Sequence, residues 1–223
     1  MLAQTAGVGF CACEDRDIKL PSEWIGLDVR EIVTANRCVR IAILDAAYGV
    51  LISEPSFSMV LDGPTHKKAV SRASIITGEV LRLLGGRDNS KRRVTMVGAV
   101  GSILSELNKT GLQLTATDMD SNVIGKTLGG VKVASGTAET VSMIESADLA
   151  LVTGMTLSTN TLDEILSLCS SSDTKLVMFA QTGANFASEY VRLGVDTVVT
   201  ESFPNYIFPG ETLVRVFRSN WNN

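Results

Sequence analysis

"VTMVGAVGSILSEL", residues 94–107, is the stretch on which the reading of this chain turns. A β-branched apolar run ends at Gly98, a second glycine follows at Gly101, and an amphipathic pattern begins at Ser102. Strand, tight turn and helix in that order open nucleotide-binding domains, but they also open ordinary βαβ units. The dinucleotide fingerprint needs three glycines as G-x-G-x-x-G, and here only G-x-x-G is present. On this stretch alone, a ligand-cradling turn and a plain corner both stay open.

The same grammar repeats downstream. Apolar runs at "LQLTAT", "VKVAS", "DLALVTG", "KLVMFA" and "DTVVTE" alternate with the helical patterns "TAETVSMIE", "TLDEILSLC" and "ANFASEYVRLG". Most of the runs lack polar alternation, as strands buried on both faces of a parallel sheet do. The fold class expected is therefore α/β, a doubly wound Rossmann-like parallel sheet with 94–99 central and beside 149–153. Thr161 and Glu164 have capping-box spacing, which starts a helix at Thr161. A last helix is expected over 209–218, with Pro209 in its first turn.

Upstream the texture changes. "LGGRDNSKRR", residues 84–93, sets a boundary near Arg87 between a small α+β unit over 1–86 and the Rossmann-like domain over 87–223. In the first unit "VGFCAC" reads as a strand. "DVREIVTA", "RCVRIAILDAAYGVL" and "THKKAVSRASIITGEVLRLL" read as helices, and Trp24 as an apolar anchor between the two units. His66, Lys67 and Lys68 read as a solvated face.

Charge and composition exclude several classes. A net charge of −4 argues against nucleic acid and anionic membranes as partners. The longest apolar stretch, "CVRIAILDAAYGVLI", is broken by Arg40 and Asp45 and is too short to span a bilayer. The N-terminus lacks the basic region of a signal peptide, so the expected location is cytoplasmic. A mean hydropathy of +0.21 leaves room for apolar surface covered in a homo-oligomer. The one histidine, His66, rules out two-histidine zinc motifs. Cys11 and Cys13 share one side of an extended segment, as soft-metal ligands do, but small core-facing residues are the simpler reading. No metal ligands are therefore assigned. A closed zinc site is not expected, and any metal should arrive with its own ligand.

Candidate site residues cluster where strands end. Asp118 closes the second strand twenty positions after Gly98, where ribose-binding acids sit, with Asp120 just beyond. "VTGMTLSTNT" supplies Thr153, Gly154, Thr156 and Asn160, more small polar residues than helix capping alone needs. "AQTGAN" supplies Thr182, Gly183 and Asn185, and Glu201 ends the last strand. With Gly98, Gly101 and Ser102, these loops would line a crevice at the switch point of a 3-2-1-4-5-6 sheet. Hydroxyls, amides and backbone N–H groups bind polar ligands well and make poor general bases. Neither a nucleophile elbow nor a P-loop lysine is present, so binding is better supported than catalysis.

"LPSEWIGLDVREIV", "RIAILDAAYGVL", "VTMVGAVGSILSELN", "ADLALVTGMTLSTNTLDEIL" and "EYVRLGVDTVV" together resemble the DUF4213/DUF364 family, whose proposed role is heavy-metal chelation. The resemblance runs along nearly the whole chain and is most specific from Thr153 to Glu164. It implies an enolase-N-terminal-like unit, a Rossmann-like domain and a site between them. The chain departs from the family at "AQTGAN", where members carry a Gly-Pro-Ser-type turn, and at Ala99–Ser102. The function expected is binding of a small polar or anionic ligand, such as a metal chelate, in a metallophore or small-molecule biosynthetic pathway. Two alternatives stand beside it: an enzyme using an adenosine-containing cofactor such as S-adenosylmethionine, and a non-catalytic assembly subunit.

Overall fold

The computed structural model describes residues 7–13, 18–28, 31–51, 53–85, 88–203 and 210–219. Arg87, where the unit boundary was expected, and Pro209 lie outside them. Six parallel strands form the centre: β2 (Arg93–Val97), β3 (Gln113–Asp118), β5 (Val131–Ser135), β6 (Leu149–Thr153), β7 (Lys175–Ala180) and β8 (Thr197–Glu201). Their spatial order is β5-β3-β2-β6-β7-β8, so β2 is central and pairs in parallel with β3 and β6, Val94 facing Leu114 and Leu149. The chain is an α/β protein with a doubly wound, mostly parallel sheet, nine-stranded among the described residues.

Helices cover both faces, as β6 and β8, buried at every position, require. On one face α2 (Thr65–Leu84) and α3 (Gly101–Asn108) bury Ile76, Val80, Ile103 and Leu104 against Val94, Met96 and Leu151. On the other, α4 (Gly136–Glu145), α6 (Leu162–Ser172) and α7 (Ala187–Arg192) bury Ile144, Ile165 and Tyr190 against Val152, Met178 and Val198.

Antiparallel strands finish both edges. The short β4 (Thr127–Leu128) joins β5. At the other edge β9 (Thr212–Arg218) pairs with β8, and β1 (Phe57–Leu61) pairs with β9, Phe57 opposite Val216. Thr212–Arg218 is therefore a strand and not the expected last helix. Thr212, Val214 and Val216 are buried on alternate positions, and that period of two outweighs the neighbouring proline. Strand β1, within the first 86 residues, belongs to the same sheet, and α2 to the same core.

Two other expectations about the first segment change. Residues 7–13 form no strand, and their backbone groups go to side chains and a loop. The Phe10 N–H donates to Asp45 Oδ2 (2.8 Å), the Ala12 N–H to Thr182 Oγ1 (2.9 Å), and the Phe10 carbonyl accepts from Gly183 N–H (3.1 Å). The helix expected over 28–35 is absent at Ile32–Thr34, and α1 (Arg37–Tyr48) begins after Asn36, whose side chain accepts from the Val39 N–H. Lys68 is no solvated residue either: it is buried and its Nζ donates to the Gly210 carbonyl (2.8 Å). No helix among the described residues is long and apolar enough to cross a membrane.

Candidate functional site

A cleft of about 310 Å³ opens beyond the carboxyl ends of β2, β3 and β6. Four of the expected residues line it: Gly98, Asp118, Thr153 and Thr156. Gly98 turns the chain out of β2 with φ +86°, and a Cβ there would collide with the Thr153 hydroxyl on the adjacent strand end. Gly101 and Ser102 open α3 and lie outside the lining, so the glycine turn does not present its helix N-terminus to the cleft. Asp118 clamps the turn: its Oδ2 accepts from the Ala99 N–H (2.8 Å) and its Oδ1 from the Asp120 N–H (2.9 Å). Asp120 is exposed and spends its own Oδ1 on the backbone and side chain of Asn122.

The polar run after β6 is more self-contained than its composition suggests. It folds into a single helical turn, α5 (Met155–Ser158), and its hydroxyls bond back to it. Thr156 donates to the Thr153 carbonyl (2.9 Å), while Ser158 and Thr159 donate to that of Met155 (2.9 and 3.1 Å). Gly154 packs under the Thr182 carbonyl, and Asn160 takes φ +62°. Helix α6 starts after Thr161 as expected, but the capping box does not form. Thr161 instead meets the Thr159 hydroxyl (3.0 Å), and Glu164 makes no hydrogen bond or ion pair among the described residues.

Sequence reasoning missed part of the wall. Thr137 and Thr140 reach the cleft from α4, and Glu164 from α6. Gly136–Thr137 after β5 carries the same Gly-Thr signal as the recognised loops. Glu164 was hidden by its assignment to a cap. Met119, Val141, Ile165 and Leu168 complete the apolar part, so the cleft is lined by residues 97–168 and by none of the described residues among the first 86. It is a crevice within the sheet layer and not one between two units.

The remaining expected residues lie elsewhere and are consumed by structure. Thr182 and Gly183 hold the 7–13 segment. Asn185 donates from Nδ2 to the Val8 and Asp45 carbonyls (3.1 and 2.9 Å), and its N–H goes to Asp45 Oδ1 (2.8 Å). Burial pushes the Asp45 carboxyl above its ordinary pKa, although those two backbone N–H groups pull it down. Glu201 is fully buried and accepts from Arg72 (2.8 Å), Gln181 (2.8 Å) and Thr212 (2.8 Å), with Arg72 also lying over the Phe179 ring.

Cys11 and Cys13 meet a third thiol that their spacing gave no sign of. With Cys38 of α1 they line a separate apolar groove of about 440 Å³, together with Trp24. Every residue of that groove lies within 9–46, so Trp24 anchors within the first segment and not between two units.

The DUF364 family, described as "Putative heavy-metal chelation", matches residues 84–200, more than half of the chain. The chain belongs to the DUF364 family. Two solved DUF364 proteins of unknown function share the fold. One, from Pyrococcus horikoshii, is 14% identical with a TM-score of 0.56, over 92% of this chain and 78% of its own. The other, from Desulfitobacterium hafniense DCB-2, is 11% identical with a TM-score of 0.56, over 95% and 85%. No curated protein matches the sequence. The DUF364 match ends at β8, so β9 and β1 extend the sheet beyond the matched span.

Proposed function

We propose that this DUF364 protein binds a small polar ligand, a cation-bearing metal chelate in the first instance, in the cleft above β2, β3 and β6. One observation carries the reading: among the described residues the only charged side chains on the cleft wall are Asp118 and Glu164, with no lysine, arginine or histidine. Two carboxylates in a ring of threonine hydroxyls attract positive charge and hydrogen-bond donors, and they repel anions. The anionic ligand considered from sequence is thus disfavoured, while a chelated metal or a protonated amine fits. Glu164 is the free acid of the pair, and Asp118 keeps the wall rigid through the Ala99 N–H.

A second reading rests on Asp118 itself. An acid at the end of the strand after the glycine turn is where a ribose is held in dinucleotide-binding sheets, and Met119 and Val141 beside it offer an apolar slot for a base. S-adenosylmethionine, which carries a sulfonium and an amine, would satisfy the same charge rule.

A thermal-shift screen of cationic metal–ethylenediamine chelates, free divalent metals, nucleosides, S-adenosylmethionine and simple anions separates these. Ligands that bind the native state raise Tm by mass action. A cationic or donor-rich compound should raise Tm in wild type and lose that effect in Glu164→Gln. Stabilisation by anions alone, unaffected by Glu164→Gln, would refute the site. For an adenosine-type ligand, Asp118→Ala should cost about 1–3 kcal/mol of binding as a charge-assisted hydrogen bond is lost.

A further inference from the structure

The thiol groove lies apart from the cleft and is explained by neither reading of it. Three of the chain's four cysteines line it. Cys11 shares a hydrogen bond with Cys38, from the first turn of α1. The approach is fixed by backbone anchoring on both sides of Cys11, since Phe10 is held by Asp45 and Gly183, and Ala12 by Thr182. A Cβ at Gly9 would collide with the Ala42 carbonyl, so the segment lies directly on α1. The two sulfurs are brought together before any ligand arrives, which lowers the ordering cost of using both.

We propose that Cys11 and Cys38 form a two-thiolate clamp for a divalent thiophilic d10 cation of the Hg(II) type, held as a neutral linear complex. Sulfur ligands select soft ions. The groove wall then decides among them by charge. Among the described residues its lining carries no lysine, arginine, histidine or carboxylate. Two thiolates on Cu(I) would leave a net negative charge in this apolar setting, with the buried Asp45 carboxyl behind it. Two thiolates on a divalent ion leave none. Zinc needs about four ligands, and no group of three or more His, Cys, Asp or Glu suited to a metal is found among the described residues.

The reaction balances as two S–H groups plus M²⁺ giving S–M–S and two protons, with no change of oxidation state. An ordinary cysteine thiol, with a pKa of about 8.5, is mostly protonated at pH 7, so each sulfur gives up a proton on binding. The groups facing Cys11 are Cys13 on its own segment, Cys38 and Asp45 on α1, and Tyr190 on α7. Cys13 lines the same groove outside the pair, and Cys169 is buried with α6, which makes both internal controls.

The test titrates the reduced, full-length protein with mercuric chloride in weakly buffered iodide solution at pH 7. Iodide competes for the metal without itself taking up protons. Sulfur-to-mercury charge-transfer absorbance and released protons are followed together. The expected result is one ion per chain with two protons released, a loss of at least about a hundredfold in affinity in Cys11→Ser or Cys38→Ser, and wild-type behaviour in Cys13→Ser and Cys169→Ser. X-ray absorption on the wild-type complex should show two sulfur neighbours, and this measurement serves even where a serine variant does not fold. Fewer than two protons, three or four sulfur neighbours, or equal affinity in Cys38→Ser would overturn the proposal.

Discussion

Glu164 and Glu201 are the same side chain at the same end of one sheet, with opposite fates. Glu201 is fully buried under α2 and takes three partners: Arg72, Gln181 and Thr212. Glu164 stands exposed on the cleft wall and takes none among the described residues. Around each acid the loops are built from the same Gly, Thr and Asn residues. At β7 and β8 a second piece of chain, the 7–13 segment or α2, has occupied the polar groups. At β2, β3 and β6 the loops bond only to themselves and to each other, and among the described residues no second segment covers Glu164, which is why a ligand belongs there.

The largest expected effect tests the consumed side. Glu201→Ala should lower unfolding free energy by about 3–5 kcal/mol, because Arg72 is left charged and buried without its carboxylate. Denaturant melts read this directly, and a change below about 1 kcal/mol would mean that Glu201 is not the structural member of the pair.

Next comes the glycine that spaces the cleft. Gly98→Ala should cost about 1–3 kcal/mol through its left-handed backbone and the clash with Thr153. Adding Thr153→Ala should return only the clash portion. Full recovery in the double variant would show that backbone strain is negligible there.

For the unconsumed acid, Glu164→Gln should leave stability within about 0.5 kcal/mol of wild type, as surface changes do. Its effect should appear only in the ligand-dependent rise in Tm. A large loss of stability in the apo protein would collapse the contrast with Glu201.

The smallest effect is a slope. Burial alone would raise the Glu79 pKa, but Arg218 and Arg82 overrule it and hold the carboxyl below its ordinary range. The native state therefore binds this proton less readily than the unfolded chain does. Its stabilisation is complete above the unfolded value of about 4.3 and is lost as pH falls through the lower, native value. Glu79→Gln should flatten the acid loss of stability in that window, read from melts between pH 2 and 5, a range of about three units around the reference value. An unchanged slope would remove Glu79 from the acid response.

Much of the parallel sheet could be read from sequence because strands buried on both faces must be continuously apolar, as "DLALVTG" and "KLVMFA" are. The edge strands were harder. Phe57–Leu61 is exposed at four of its five positions, and only the presence of β9 makes it a strand. "TLVRVFR" alternates in and out, but its arginines and the preceding proline suit a helix equally well. "VGFCAC" has strand composition, yet the acceptors it meets are Asp45 and Thr182 and not a neighbouring strand. At the site, a Gly-Thr loop has the same letters whether it awaits a ligand or already holds a chain segment. Cys38 could not be joined to Cys11 by spacing, since the contact exists only once α1 has docked.

The pairing of β1 with β9 sets an order of events during synthesis. Phe57 faces Val216 across more than two thirds of the length of the chain, and among the described residues β9 is the sole strand partner of β1. While the ribosome is still making the middle of the protein, β2 to β8 can zip together from neighbours, but β1 can only wait with its backbone unpaired. Closing so long a loop is entropically slow, so the sheet's rim is sealed last. A nascent chain halted just after β8 would thus expose one edge of β8 and both edges of β1, where the finished rim, among the described residues, leaves only the outer edge of β1.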